Sequence, residues 1–346
     1  MITIKDIAKK ANVSAGTVDR VIHNRPGVSS KTKERIDKII RESNFQVNKI
    51  ASTLAFNKEY TIAVLIPESG STANFWSQPN NGILKAGDEI KTFRGELSFF
   101  YFDQFDATSF IKAFHALLKS EPDAVLMAPV FYKETIDNIH FLDDLSIPYL
   151  FININIKGLN NISFIGQHSF KSGYLAAKLM NLLLAGSGGI LIPVVRENID
   201  NHLAIDTRIS GFKSYFKEKN KDIKLCEITL TNILDREKTH ELIAKQLAKN
   251  SNIKGLFVPS SYINFIAKYL KNYDLTELKL IGFDLSEENI RFLKDETIDF
   301  LISQNAFVQG YDGIKTLFDF IANNIVPDKR YYSPIKLLTK ENIDFD

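Results

Sequence analysis

A single cysteine, Cys226, stands among 346 residues. One thiol cannot build an internal disulfide framework, which points to a reducing compartment. Long apolar runs are missing as well, and none approaches the roughly 20 residues of a membrane-spanning helix. The opening residues, Met1-Ile2-Thr3-Ile4-Lys5-Asp6, lack the apolar core of a secretory signal. Together these absences predict a cytoplasmic protein with no membrane partner. The six histidines, at 23, 115, 140, 168, 202 and 240, show no ligand spacing with carboxylates or cysteine, so no metal is expected. Neither a nucleophile elbow nor a paired Cys/His signature is present. The glycine-rich Ala185-Gly186-Ser187-Gly188-Gly189 follows a helix pattern and precedes a strand pattern. Cradling a phosphate needs the reverse order, so this reads as a helix-ending turn. Cys226 sits inside a strand pattern and reads as a small hydrophobe. The chain is therefore read as a non-enzyme without cofactors.

The net charge of +2 hides an uneven distribution. Residues 1–58 hold 12 Lys+Arg against 5 Asp+Glu, and the remainder holds 31 against 36. A small basic segment on a larger acidic body suggests a polyanion partner for the former alone. Inside that segment, Thr3 and Asp6 have capping-box spacing, and a helix starting there buries Ile4, Ile7, Ala8 and Ala11. Asn12 suits a left-handed turn, and Ser14 suits the cap of a second helix. On that helix Val18, Val21 and Ile22 share one face; Gly16, Thr17, Arg20 and His23 share the other. Two short helices joined so tightly make a helix-turn-helix. After the loop Asn24-Arg25-Pro26-Gly27, a third helix from about Lys31 to Glu42 closes the core with Ile36, Ile39 and Ile40. Its Lys31, Lys33, Arg35, Lys38 and Arg41 meet either phosphates or solvent.

From Tyr60 onward buried strand patterns such as Thr61–Ile66, Glu96–Tyr101 and Ala124–Met127 alternate with amphipathic helices. The alternation continues through strands at Tyr149–Ile152, Ile190–Val194, Lys224–Leu230, Gly255–Pro259 and Lys279–Phe283. Such βα units demand parallel sheets covered on both faces, and their number calls for two lobes.

Ile4-Lys5-Asp6-Ile7-Ala8, Val13-Ser14, Thr17-Val18, Arg20-Val21, Val28-Ser29 and the segment Asn48 to Ala55, taken in order and spacing, resemble the lactose-repressor (LacI/GalR) family of bacterial transcription regulators. The resemblance implies an all-α helix-turn-helix headpiece (1–46), a hinge helix and linker (47–58), and an effector-binding body (59–346). That body is expected to be periplasmic-binding-protein-like and α/β, with two doubly wound parallel-sheet lobes. The N-lobe is placed at 59–163 and 305–328, the C-lobe at 164–304 and 329–346, with crossings near Ser163, Gln304 and Asp328. By the same resemblance Ala15, Gly16 and Arg20 fall at base-reading positions, and Ser14, Thr17 and Asn24 at backbone-contacting ones. Asn48 opens the hinge match, and Leu54 matches the leucine wedged into the minor groove, its alternative being an ordinary buried linker leucine. The implied partners are pseudopalindromic operator DNA, a second copy of the chain, and a small-molecule effector of carbohydrate type. Three departures from the family matter: Asp19 replaces a small hydroxyl residue, Val47 replaces a proline, and Ala15 with Gly16 reach little. Direct readout then rests on Arg20 and DNA shape.

In the body, Arg208, Asp284 and Gln304 match the family's effector-binding arginine, aspartate and crossover glutamine. Asn153 aligns where sugar-binding relatives carry an aspartate, and Trp76 is the only tryptophan, suited to stacking on a sugar. The structural alternatives are an interlobe ion pair for Arg208, a helix cap for Asp284, and a core or interface aromatic for Trp76. His168 stands where relatives show aspartate, and Ser260-Ser261 replaces an asparagine-aspartate pair. A purine or other non-sugar effector fits the Arg208/Asp284 pair equally. A cytosolic solute-binding protein without operator binding is the remoter alternative, which the basic headpiece disfavours.

Overall fold

The computed structural model describes residues 4–22, 26–43, 58–69, 75–195, 203–219, 223–233 and 235–345. Asn24, Asn48, Leu54, Thr3 and the hinge segment 47–57 lie outside these residues. The contacts divide the chain between Lys58 and Glu59.

The first unit holds α1 (Ile4–Ala11), α2 (Ala15–Ile22) and α3 (Ser30–Glu42). Asn12 takes φ 49°, the left-handed conformation that lets α1 stop and the chain turn. Ser14 Oγ accepts from Thr17 N at 3.1 Å and caps α2. Ser29 does the same for α3 through Thr32 N. Ile7, Ala8, Ala11, Val18, Val21 and Ile36 form the core, with Val13, Ile22, Val28, Ile39 and Ile40 packed against it. So small a core leaves each of these side chains a large share of the stability.

The second unit begins with β1 (Tyr60–Pro67), α4 (Ser77–Lys91), β2 (Gly95–Phe102), α5 (Ala107–Lys119), β3 (Ala124–Met127), α6 (Tyr132–Asp144), β4 (Tyr149–Ile152) and β5 (Ser163–Gln167). It continues with α7 (Ser169–Leu183), β6 (Gly189–Val195), α8 (Leu203–Glu218), β7 (Leu225–Leu230), α9 (Arg236–Lys249) and β8 (Ile253–Phe257). α10 (Ile263–Asn272), β9 (Lys279–Phe283), α11 (Glu287–Lys294), β10 (Phe300–Ser303), α12 (Ala306–Asn323), β11 (Tyr331–Ser333) and β12 (Lys336–Leu338) complete it.

The strands form two six-stranded sheets, ordered β11-β5-β4-β3-β1-β2 and β12-β10-β9-β8-β6-β7. Every pairing is parallel except β10 with β12. Both faces of the central strands are covered, so β3, β4 and β6 are buried along their whole length, whereas the edge strands β2 and β7 keep exposed positions. Along β1, Ile62, Val64 and Ile66 pack with Ile83 and Ile314 from α4 and α12. Ala63 and Leu65 face Phe110 and Phe114 of α5 on the other side. Cys226 on β7 packs, partly buried, against the core of the second sheet. Ala185 and Gly186, at φ 48° and 74°, turn the chain out of α7 toward β6.

The chain changes sheet after Gln167, between Ser303 and α12, and between β11 and β12. The expected crossings near Ser163 and Asp328 therefore come too early, because β5 and β11 complete the first sheet. Hydrogen bonding decides this: β5 pairs with β4 on one side and β11 on the other. Ser163 Oγ donates to the Asp328 carbonyl at 2.7 Å, which brings the two early crossing points together. Helix α4 begins at Ser77. Pro79 falls in its first turn, where the missing N–H costs no helical bond.

Candidate functional site

Arg208 leaves the second turn of α8 and is 4% exposed. Its Nη1 donates to the Pro259 carbonyl at 2.9 Å and its Nη2 donates to Gln304 Oε1. The guanidinium lies over the Phe283 ring at 4.2 Å, and Phe283 packs edge-on against Phe257. Backbone proximity sets the helix that carries it: a Cβ on Gly173 of α7 would fall 1.9 Å from the Arg208 carbonyl. On the same crossing, a Cβ on Gly211 would fall 2.0 Å from the Phe170 carbonyl. Only glycine lets α7 and α8 approach so closely.

Asp284 follows β9 with φ 71°, and Asn153 follows β4 with φ 65°. β4 and β9 hold the same place in their respective sheet orders, so the two residues are counterparts. The left-handed backbone, which Asn and Asp tolerate best, turns the chain out of each strand at its carboxyl end. The cap of α11 is Ser286, which accepts from Asn289 N at 3.2 Å, so Asp284 is free of the capping role.

Gln304 joins these parts. Its Nε2 donates to Asp284 Oδ1 and Oδ2 at 2.9 and 3.0 Å. Its Oε1 also accepts from Asn153 Nδ2 at 3.3 Å, a bond reaching the first sheet's side of the body. Burial pushes the Asp284 carboxyl up to about 6, against the pull of Arg208 and Gln304. Burial likewise lowers Arg208 to about 10, opposed by Asp284. Both groups are mainly charged at neutral pH on these values.

A cavity of about 110 Å³ opens onto Arg208, Asp284, Gln304, Asn153 and Trp76, so all five body residues singled out in the sequence meet there. Trp76 is only 4% exposed and joins the first sheet's core, with its Nε1 donating to Gln104 Oε1 at 3.1 Å. Gln104 Nε2 in turn reaches Tyr262 Oη at 3.5 Å. Phe75, Gln104, Phe105, Ser260 and Tyr262 also line the cavity; apart from the serine pair, sequence reasoning passed them over. No motif marks them; they come from loops that only the fold brings together. Among the described residues Arg208 Nε and Ser260 Oγ are buried without a hydrogen-bond partner. Asp284 accepts from a single nitrogen and retains lone pairs for further donors. His168 instead caps α7 and lies 5.0 Å from the Tyr332 ring. Among the described residues no group of His, Cys, Asp and Glu could hold a metal ion.

In the headpiece, Ser14, Ala15, Gly16 and Arg20 are exposed and Thr17 is half-buried, while Val18 and Val21 face the core. Lys31, Lys33, Arg35, Lys38 and Arg41 are exposed on α3. Small side chains beside an exposed arginine suit the start of α2 to close approach by a groove. Among the described residues no helix is long and apolar enough to cross a membrane.

Residues 62–324 match the periplasmic binding protein domain, and residues 3–48 match the bacterial regulatory proteins of the lacI family. The transcriptional regulator MalR of Clostridium butyricum is 26% identical over 297 residues, covering 83% of this chain and 84% of that protein. The ribose operon repressor of Lactococcus lactis is 23% identical across 99% of this chain and 98% of its own length. A crystal structure assigned as a LacI transcriptional regulator from Bacteroides fragilis shares 30% identity, with a TM-score of 0.78 over 84% of this chain and 100% of that one. These relatives are regulators rather than enzymes, in agreement with the motif-poor sequence. With a helix-turn-helix match at one end and a two-sheet body matching the periplasmic binding protein domain, the chain belongs to the LacI family of DNA-binding transcriptional regulators, with a periplasmic-binding-protein-type effector domain.

Proposed function

We propose that the chain represses or activates transcription as a homodimer on a pseudopalindromic operator, under control of a sugar or sugar derivative held in the body. The observation that carries the effector reading is the buried Arg208–Gln304–Asp284 arrangement beside the cavity. The unpartnered Arg208 Nε and Ser260 Oγ supply a donor and a hydroxyl, the Asp284 carboxylate an acceptor, and Trp76, Phe75 and Tyr262 apolar faces. Vicinal hydroxyls on a ring with an apolar face match that set. The name of the Lactococcus relative, a ribose operon repressor, supports a carbohydrate.

Two headpieces held by dimerisation would each lay α2 in a major groove, with Ser14, Thr17 and Asn24 on the backbone and Arg20 on a base. Asn48 and Leu54 would serve the hinge and its minor-groove wedge. The work is done where the DNA is, in the cytoplasm. Effector binding regulates only through contacts that differ between two arrangements of the lobes.

The test pairs two measurements on the full chain. Duplexes selected from a random pool should bind with a steep salt dependence. A thermal-shift screen with sugars, sugar acids and nucleobases should then find a stabilising sugar that changes the affinity for the selected duplex. Stabilisation by nucleobases alone would move the effector to the purine class, and salt-insensitive or undetectable duplex binding would remove the regulator reading.

A further inference from the structure

The cavity over Arg208 and Asp284 continues into a larger hollow of about 1140 Å³, and Phe75, Ser261, Asp284 and Gln304 line both. The two are one cleft with room beyond a single ring. Past Asp284 the larger part is walled by Asn264 and Glu288, with Phe265 and Phe307 nearby. Asn264, in the first turn of α10, is 3% exposed, yet its Oδ1 has no hydrogen-bond partner among the described residues. Its Nδ2 donates to Glu288 Oε2 at 2.6 Å, which fixes the amide so that the spare atom is the carbonyl oxygen. A buried carbonyl without a donor is unfavourable, and a ligand hydroxyl would relieve it. Glu288 is exposed and accepts more than one donor.

Hydroxyl acceptors beside aromatic rings are what the polar edge and apolar face of a sugar ring require. The charges around this part balance, with Arg236, Lys268 and Lys336 against Asp284, Glu287 and Glu288. No net field calls for a phosphate or carboxylate on the ligand. We infer that Asn264 and Glu288 form a second sugar subsite, and that the effector is a neutral disaccharide or longer saccharide with one ring over Arg208 and Asp284 and the next on Asn264. The inference rests on the sugar reading of the cavity given above.

Calorimetric titration of the full chain with D-glucose, D-galactose and D-fructose, and with maltose, cellobiose, lactose, melibiose, trehalose and sucrose, tests it. At least one disaccharide is expected to bind about tenfold or more tighter than either of its component sugars. Asn264→Ala and Glu288→Ala should each cut that advantage to threefold or less and leave monosaccharide binding within twofold. Glu288 is exposed, so its variant keeps the test readable if Asn264→Ala fails to fold. A monosaccharide that binds as tightly as its disaccharides, or an advantage surviving both variants, overturns the subsite and leaves the sugar-effector reading intact. Binding by none of the nine saccharides overturns the subsite, and the sugar reading itself falls only if the wider screen of sugars and sugar acids also finds no ligand.

Discussion

The side-chain amide of Gln304 donates to both carboxylate oxygens of Asp284 while its carbonyl accepts from Arg208 and Asn153. One uncharged residue thus stands between a buried cation and a buried anion, and it lies where the chain passes from the second sheet to α12. The arrangement stabilises each charge without neutralising either by direct pairing. It also means that losing Gln304 leaves Asp284, Arg208 and Asn153 each short of a partner.

Gln304→Leu removes two donor contacts from Asp284 and an acceptor from Arg208 at nearly constant volume. Leaving buried charges short of partners costs about 2–4 kcal/mol. The expected outcome is a body that unfolds several degrees lower in differential scanning calorimetry and no longer shifts with the effector sugar. An unchanged melting temperature would show that water takes over the role of the amide.

The pH dependence of effector binding follows from Asp284, whose carboxyl is raised to about 6 by burial. Above that pH the ionised group accepts from ligand hydroxyls; below it the group carries a proton and accepts less well. Ligand binding to the ionised form therefore weakens as pH falls through 6. For a sugar identified by screening, the Kd at pH 5 should be roughly tenfold weaker than at pH 7. Asp284→Asn should flatten the profile. A Kd that tightens toward acid in the parent protein would refute the assignment.

Gly173 separates two physical arguments. Helix propensity alone says that Gly173→Ala stabilises α7 by about 1 kcal/mol. The new Cβ, however, would lie 1.9 Å from the Arg208 carbonyl, so α7 and α8 must part. Overpacking against backbone costs roughly 1–3 kcal/mol, and the expected net effect is destabilisation with a displaced Arg208. Urea unfolding and sugar titration check this together; a stabilised variant with full affinity would mean that the crossing is softer than its geometry implies.

The headpiece offers a paired test of packing against readout. Ile36→Ala empties the centre of a core built from few side chains and costs about 2–5 kcal/mol. It should abolish duplex binding at low and high salt while leaving the sugar-induced thermal shift of the body unchanged. Arg20→Ala touches an exposed side chain and should leave helicity intact. It should cost about 1–3 kcal/mol of preference for the selected duplex, with a smaller loss on random DNA. Circular dichroism and anisotropy on both duplexes separate the two outcomes; equal behaviour of Arg20→Ala and the parent would remove Arg20 from base reading.

Much of this was legible from local chemistry. Asn12 and Ser14 announced the turn between α1 and α2 because the left-handed backbone and the capping hydroxyl are properties of one residue and its near neighbours. The apolar runs of β1, β3 and β9 announced buried parallel strands for the same reason. Boundaries were harder. β11, three residues long and exposed at two of them, carries no period, and only its pairing with β5 assigns it to the first sheet. Trp76, suited by chemistry to a ligand face, lies mostly in the core while also lining the cavity, with its N–H already given to Gln104.

The order of residues alone determined that a basic three-helix head precedes an acidic α/β body, since charge, capping and periodicity act over a few positions. The resemblance to the family, not local chemistry, singled out Arg208, Asp284 and Gln304 as separate candidates. Only the tertiary structure decided that Gln304 would stand between the other two, that Gly173 would set how closely α8 can lie, and that Asn264 would be left with an unpaired carbonyl beside Glu288. Those facts depend on residues from 20 to 96 positions apart meeting in space, and distance in space across such separations is set by packing of the whole, which no local signal encodes.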